Sequence, residues 1–376
     1  MNRTYNTILM ADTSDIYHDG RILKEAKSLE RNGYKIKIFG FHNISSSKAI
    51  YNFKIKTLLI VSRKYRILRN INIILNILLI NFKILFNRAK FYHSHNTMFL
   101  PGMYIASKIY NGKFIYDSHE VQWEASSTAR RLENWFIHKA DKIINVSEGR
   151  ANEQAKRFNL NKEDITIISN YPEIPESLNN ISKTKNNGKL RFIYSGGFNL
   201  GTNKLDNFLD AIKSFDNCEF ILMAFGYGVS HQKIIDQIHK NKQEKQVRFI
   251  PLVKPNEVIN AIEEYDIAVN MIYNWNDSIS LKYHGINKMY EYLMAGLPIL
   301  CSDLASFVSD FENHGVGKAV NPVDQESIKE GIEYFIKHKE HIFEMKQKAR
   351  DLALKEFNWN TQDQKLIDLY NNLQNK

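Results

Sequence analysis

Short apolar runs alternate with amphipathic stretches along nearly the whole chain, and their order predicts a parallel sheet wrapped by helices, twice over. Residues 7–11, 35–39, 91–93, 114–116, 142–146 and 165–168 read as strands. Between the first two, Ile22, Leu23, Ala26 and Leu29 recur at helical spacing, and Gly33 ends that helix. Another helix reads around Trp135–Ala140. The pattern breaks near Tyr171–Pro175, and a polar stretch rich in Asn, Ser and Lys follows to about Lys189. A second series then places strands at 190–195, 219–225, 247–250, 267–271 and 299–301, with helices at 205–214, 256–264 and from Asn287, and more helix after Gln325. Alternation of this kind implies an α/β fold of two Rossmann-like, doubly wound domains. The expected divisions are a first domain at 1–175, a linker at 176–189 and a second domain at 190–357.

One run departs from the rhythm. Leu68–Phe86 is long enough to span a bilayer marginally, yet it carries Arg69, Lys83 and four asparagines. Arg69, Asn72, Asn76 and Lys83 share one helical face, so the expectation is a helix embedded on most sides with a narrow polar stripe. It lies in a basic region. From Arg31 to Tyr116 there is no Asp or Glu and there are fifteen Lys or Arg, which leaves the rest of the chain at about −5 out of a net +10. Such asymmetry suits an anionic surface. A membrane-contacting helix is the reading preferred over a spanning one, with a core helix of the first domain as the plain alternative. Nothing resembles a nucleic-acid-binding motif, so no nucleic acid is expected.

Composition adds little but excludes some classes. A chain of 376 residues accommodates two domains, and 43% hydrophobic with 24% charged residues is globular. Cys218 and Cys301, two thiols far apart, suggest a reduced cytoplasmic protein, and no signal peptide is expected, since the first apolar run is too short.

The chemistry-bearing segments sit at strand ends. Asn287-Lys288-Met289-Tyr290-Glu291 opens an otherwise apolar helix that stops at Gly296, with Pro298 beyond. The loop Ser195-Gly196-Gly197-Phe198 leads to Lys204, and Gly226 and Gly228 end the next strand similarly. Glycines there let backbone approach a phosphate, although a tight βα turn would look the same. Tyr116-Asp117-Ser118-His119-Glu120 follows a strand directly, and His119 reads either as a cleft histidine or as one that organises its loop.

Taken in order, four segments resemble the retaining glycosyltransferases of the GT-B fold, family 4. They are Asp19–Ala26 with Leu29 and Gly33; Tyr116–Glu120; Ala140–Ser147 leading to Asn170; and Tyr265-Asp266-Ile267 followed by Asn287–Pro298. The resemblance implies two domains facing a central cleft, with a last helix at about 358–376 packing back on the first. It implies transfer of a sugar from a nucleoside diphosphate sugar to a hydroxyl of a glycan or lipid-linked acceptor. Glu291 matches the glutamate that holds the ribose, Lys204 the base that holds the diphosphate, and His119 the histidine that positions the donor sugar. Gly196, Gly197, Phe198, Gly226, Tyr283, Asn287 and Lys288 would complete the donor site, and Asp19, Arg21 and His95 are acceptor-contact candidates. No metal and no cofactor are expected, and no Asp-x-Asp or histidine cluster at metal spacing is found. The chain departs from the family at Tyr283, where the first motif glutamate would fall, and at Gly197-Phe198-Asn199, where an arginine is frequent. Lys288 is then the candidate for the missing charge. A sugar-nucleotide epimerase and a non-catalytic partner protein are the competing readings, and a cytoplasmic site on the inner face of a membrane is the expected location.

Overall fold

The computed structural model describes residues 6–43, 51–61, 65–181, 188–274, 276–283 and 286–374. Arg63 and Lys64 of the basic region and 182–187 of the expected linker lie outside the described residues. The chain divides into two compact units, 1–169 with 362–376, and 170–361.

Unit 1 runs β1 (Thr7–Asp15), α1 (Gly20–Arg31), β2 (Lys35–Asn43), β3 (Lys54–Ile60), α2 (Arg66–Leu85), β4 (Phe91–Ser94), α3 (Leu100–Ile109), β5 (Lys113–Ser118), α4 (Gln122–Ala125), α5 (Ser127–Phe136), β6 (Lys142–Asn145), α6 (Glu148–Phe158) and β7 (Ile165–Ile167). Its seven strands are ordered β3-β2-β1-β4-β5-β6-β7, and each pair is parallel. The order reverses between β1 and β4, which opens a crevice at the carboxyl ends of those strands. Helix α1 begins where Asp19 accepts from the amides of Arg21 (3.1 Å) and Ile22 (3.2 Å), and it ends before Gly33 at φ +85.

Unit 2 runs β8 (Leu190–Phe198), α7 (Leu205–Ile212), β9 (Cys218–Gly226), α8 (Ser230–Asn241), β10 (Val247–Phe249), α9 (Val258–Ile262), β11 (Ile267–Asn270), α10 (Ile279–Lys282), α11 (Asn287–Met294), β12 (Ile299–Ser302), α12 (Ala305–Phe307), β13 (Gly317–Val320), α13 (Gln325–Lys337) and α14 (Ile342–Lys355). Six parallel strands lie in the order β10-β9-β8-β11-β12-β13, with the reversal between β8 and β11. Both faces of this sheet are buried. Phe192, Tyr194 and Leu222 enter one core cluster, while Ile193, Ile221 and Met223 enter another. That period of two, apolar on both sides, explains why these strands read as continuous apolar runs. The stop after α11 is as the sequence predicts: Gly296 takes φ +74, and Leu297 N–H reaches back to Tyr292 O at 2.8 Å.

The last helix, α15 (Trp359–Gln374), packs within unit 1 from Gln362 onward. There Tyr370 meets Phe91 edge-on, with ring centres 4.9 Å apart. Several expectations shift. β3 was not anticipated, because Lys54 and Lys56 interrupt its apolar pattern; it is an edge strand, where exposed lysines are tolerated. The helix expected around Trp135–Ala140 starts earlier, at Ser127, where Ser126 caps it. The stretch expected as boundary and linker packs on unit 2 through Tyr171, Ile174 and Leu178. The alternative that α2 is a plain core helix of the first domain is also corrected. Asn76, Ile80 and Ile84 are buried, but the opposite apolar face is open.

Candidate functional site

In unit 1 the reversal point gathers a buried charged cluster. Arg21 and Glu25 stand one turn apart on α1; His93 and His95 alternate at the end of β4; Asp117 and His119 alternate at the end of β5. Sheet order places β4 between β1 and β5, so these three pairs converge. Asp117 is the hub. Its Oδ2 accepts from Arg21 Nε at 2.9 Å and lies 3.2 Å from His95 Nδ1, and its Oδ1 lies 3.6 Å from His119 Nδ1. Arg21 also pairs with Glu25 at 3.2 Å and donates to Ile168 O at 3.0 Å. The His93 and His95 rings stack 4.2 Å apart, and His93 Nδ1 bonds the Tyr370 hydroxyl at 2.8 Å.

Electrostatics follow from that geometry. Burial alone would raise the Asp117 pKa, but the Arg21 guanidinium and the nearby His119 and His95 rings hold it well below the carboxylate range. Burial would lower that of His119, yet the Asp117 carboxylate 3.6 Å away pushes it up to about 9. Burial raises Glu25 to about 7 and Asp12 to about 6. At neutral pH, therefore, His119 is an imidazolium beside a carboxylate: a proton donor, not a general base. Ligand atoms of Glu25, His93, His95 and Asp117 also lie within 4.8 Å of one another, a grouping that no local spacing reveals. The Arg21 guanidinium already bridges its two carboxylates, so a divalent ion would bind only if that side chain withdrew.

Of the acceptor-contact candidates, none stands in the open. Asp19 is engaged as the α1 cap and accepts from Ser14 Oγ at 2.6 Å. Arg21 is 4% exposed and His95 is 2% exposed, because both turn inward to Asp117. His119 alone of this cluster keeps a partly open side chain, at 17%.

Unit 2 assembles the second constellation at the ends of β8 and β11. Gly196 takes φ +100, a conformation that an L-residue rarely adopts, and a Cβ there would sit 3.4 Å from Lys288 Nζ. Gly197 lies under Tyr227, and Gly226 is required by packing, since a Cβ would strike the backbone nitrogen of His231 at 2.3 Å. Phe198 is fully buried in the core, so only its backbone can face a ligand. Helix α11 is fastened to this loop by Tyr292, whose hydroxyl accepts from Ser195 N–H at 2.9 Å. That contact sets the rotation of the helix. Lys288 and Glu291, three residues apart, then project on its half-buried side, with Asn287 exposed at its start. Lys288 Nζ bonds Tyr194 Oη at 2.8 Å, and burial brings its pKa down to about 8 against the pull of Glu291.

Lys204 opens α7. Its amide donates to Met271 O at 2.7 Å, and its ammonium reaches Leu200 O at 3.3 Å beside the Tyr273 ring. Tyr283 caps α10 and is half-buried, with Lys282 Nζ 5.5 Å from its ring centre. Unit 2 thus offers two ammonium groups, glycine amides and one carboxylate around the β8 end. Anionic phosphate and a vicinal diol are what such groups bind. Tyr194 in β8, Tyr273 beyond β11 and Tyr292 in α11 were not singled out from sequence; aromatic residues in apolar segments carry no local mark of a site.

Two family models match the chain: glycosyltransferase family 4 over residues 21–171 and glycosyl transferases group 1 over residues 177–352. No curated protein matches it. Among solved structures, sucrose-phosphate synthase from Thermosynechococcus elongatus is similar, with 12% identity, 98% of this chain and 99% of that chain covered, and a TM-score of 0.75. A glycosyltransferase from Rickettsia africae ESF-5 covers 98% of each chain at 14% identity and TM-score 0.71. Anabaena HepE, solved in complex with UDP-glucose, covers 97% of this chain and 99% of its own at 15% identity and TM-score 0.71. With both halves matched by these models and the two parallel sheets shared with such neighbours, the chain belongs to the GT-B glycosyltransferases of group 1, family 4 type.

Proposed function

We propose that this protein is a retaining, metal-independent hexosyltransferase. It moves a sugar from a nucleoside diphosphate sugar to a hydroxyl of a glycan or lipid-linked acceptor in bacterial cell-surface polysaccharide synthesis, on the cytoplasmic side. The observation that carries the reading is the pairing of Lys288 and Glu291 on one face of α11, held beside Gly196 by the Tyr292–Ser195 bond. Glu291 accepts from the ribose hydroxyls, and Lys204 and Lys288 take the diphosphate with the amides of Gly196 and Gly197. The acceptor oxygen bonds to the anomeric carbon as the bond to the diphosphate breaks on the same face. The acceptor proton passes to the departing phosphate oxygen, and the ammonium groups stabilise the charge that develops there. His119, held as an imidazolium by Asp117, positions the donor and takes no part in nucleophilic attack. The complex of HepE with UDP-glucose supports a nucleotide-sugar donor of this kind.

A thermal-shift panel of nucleoside diphosphates and their sugar conjugates tests this. Ligands that bind only the native state raise its melting temperature. A rise with one base, absent in Glu291→Ala, is the expected result. No rise with any nucleotide would sink the proposal and favour a non-catalytic partner protein.

A further inference from the structure

Helix α2 carries an apolar face that nothing in the described chain covers. Leu68, Ile71, Leu75, Leu78, Phe82 and Phe86 are each between 51% and 67% exposed. Their spacing of three or four residues draws them into one stripe along the helix. Isolated exposed apolar residues need no explanation, but a continuous stripe of this length marks an interaction surface.

The opposite side of α2 is fastened to unit 1. Asn76 donates to Leu59 O at 3.0 Å, Asn72 accepts from Val61 N–H at 3.2 Å, and Asn81 donates to Met98 O at 3.0 Å. Ile80 and Ile84 are fully buried beneath. By length and composition Ile67–Leu85 could cross a membrane. A spanning helix, however, could not keep these bonds to an edge strand and a loop within hydrocarbon, where unpaired strand groups are not tolerated. A helix with one polar side held by the protein and one apolar side open lies in an interface.

Charge selects the occupant. Lys54 and Lys56 on β3, Lys83 on α2 and Arg88 just after it are exposed, within a region from Arg31 to Tyr116 that holds fifteen basic residues and no acidic one. Two copies of this chain meeting through the stripe would oppose like charges, whereas an anionic lipid headgroup layer complements them. We propose that α2 lies in the plane of an anionic bilayer, its apolar stripe in the acyl boundary and its flanking lysines at the headgroups. This docking is independent of the sugar-transfer reading and is tested without catalysis.

Vesicle flotation of the full chain decides it, with phosphatidylcholine vesicles alone or with about 30% phosphatidylglycerol. The wild type is expected to float with the anionic vesicles and at least about tenfold less with the neutral ones. Leu75→Asn/Leu78→Asn/Phe82→Asn should lose about tenfold in binding with an unchanged melting temperature, since all three side chains are exposed. Lys54→Glu/Lys56→Glu should weaken binding and reduce its salt dependence. Failure of the wild type to float, or flotation that the triple variant leaves intact, overturns the proposal. So does a concentration-dependent dimer in sedimentation that the triple variant breaks without any vesicle binding, which would assign the stripe to a second copy.

Discussion

The Lys288 ammonium donates to the Tyr194 hydroxyl at 2.8 Å and lies 4.2 Å from the centre of the same ring. Tyr194 therefore both orients this cation and desolvates it. With a pKa brought down to about 8, Lys288 loses its proton across the mildly alkaline range. Affinity for a nucleoside diphosphate should fall by at least about tenfold between pH 7.5 and 9.5 in titration calorimetry. Lys288→Arg should flatten that profile, because a guanidinium stays charged throughout. An unchanged affinity across this range would remove Lys288 from the phosphate site and leave Lys204 as its cation.

Gly196 offers a test of backbone rather than charge. At φ +100, with Lys288 Nζ 3.4 Å from where a Cβ would be, Gly196→Ala combines strain with displacement of that lysine. A loss of about 1–2 kcal/mol in urea unfolding and weaker nucleotide binding are both expected. Gly228→Ala, at φ +58 with nothing within 4 Å, should show only the strain. Equal nucleotide affinity in the two variants would argue against close approach of a ligand at Gly196.

The Asp117–His119 pair makes stability depend on pH. The folded pKa of His119, about 9, lies above the ordinary 6.5, so its contribution is whole below pH 6.5 and is lost as pH rises through 9. That contribution is on the order of 3 kcal/mol. Between pH 6 and pH 10 in chemical denaturation the wild type should lose about 3 kcal/mol relative to His119→Gln, a comparison that cancels the opposite contribution of buried lysines such as Lys288. An NMR titration that finds His119 neutral at pH 8 would refute the imidazolium assignment directly.

Tyr370 ties α15 to the same cluster. Tyr370→Phe keeps the ring packing against Phe91 but leaves His93, fully buried, without its 2.8 Å partner. Loss of about 1–3 kcal/mol in unfolding is expected, with nucleotide binding unaltered. A change below about 0.5 kcal/mol would mean that the bond contributes little net stability.

The alternation of strands and helices, the helix stops at Gly33 and Gly296, and the residues of the glycine loop were all legible in the chain. They depend on interactions between near neighbours: the period of side-chain direction, the left-handed conformations open to glycine, and the missing amide of Pro298. Three pairs in the unit 1 cluster also carry local signs, since Arg21 and Glu25 are four apart and His93/His95 and Asp117/His119 are two apart. Their convergence is not local. It arises because β4 inserts between β1 and β5, which brings together residues about a hundred positions apart and buries Arg21 and His95 where open contacts were expected. Likewise, sequence marked both Lys204 and Lys288, but only the Tyr292–Ser195 bond sets the rotation of α11 that turns Lys288 toward Gly196. For α2, sequence carried the asparagine stripe and the basic surroundings. Which face is buried was decided by β3, an edge strand that its own lysines concealed.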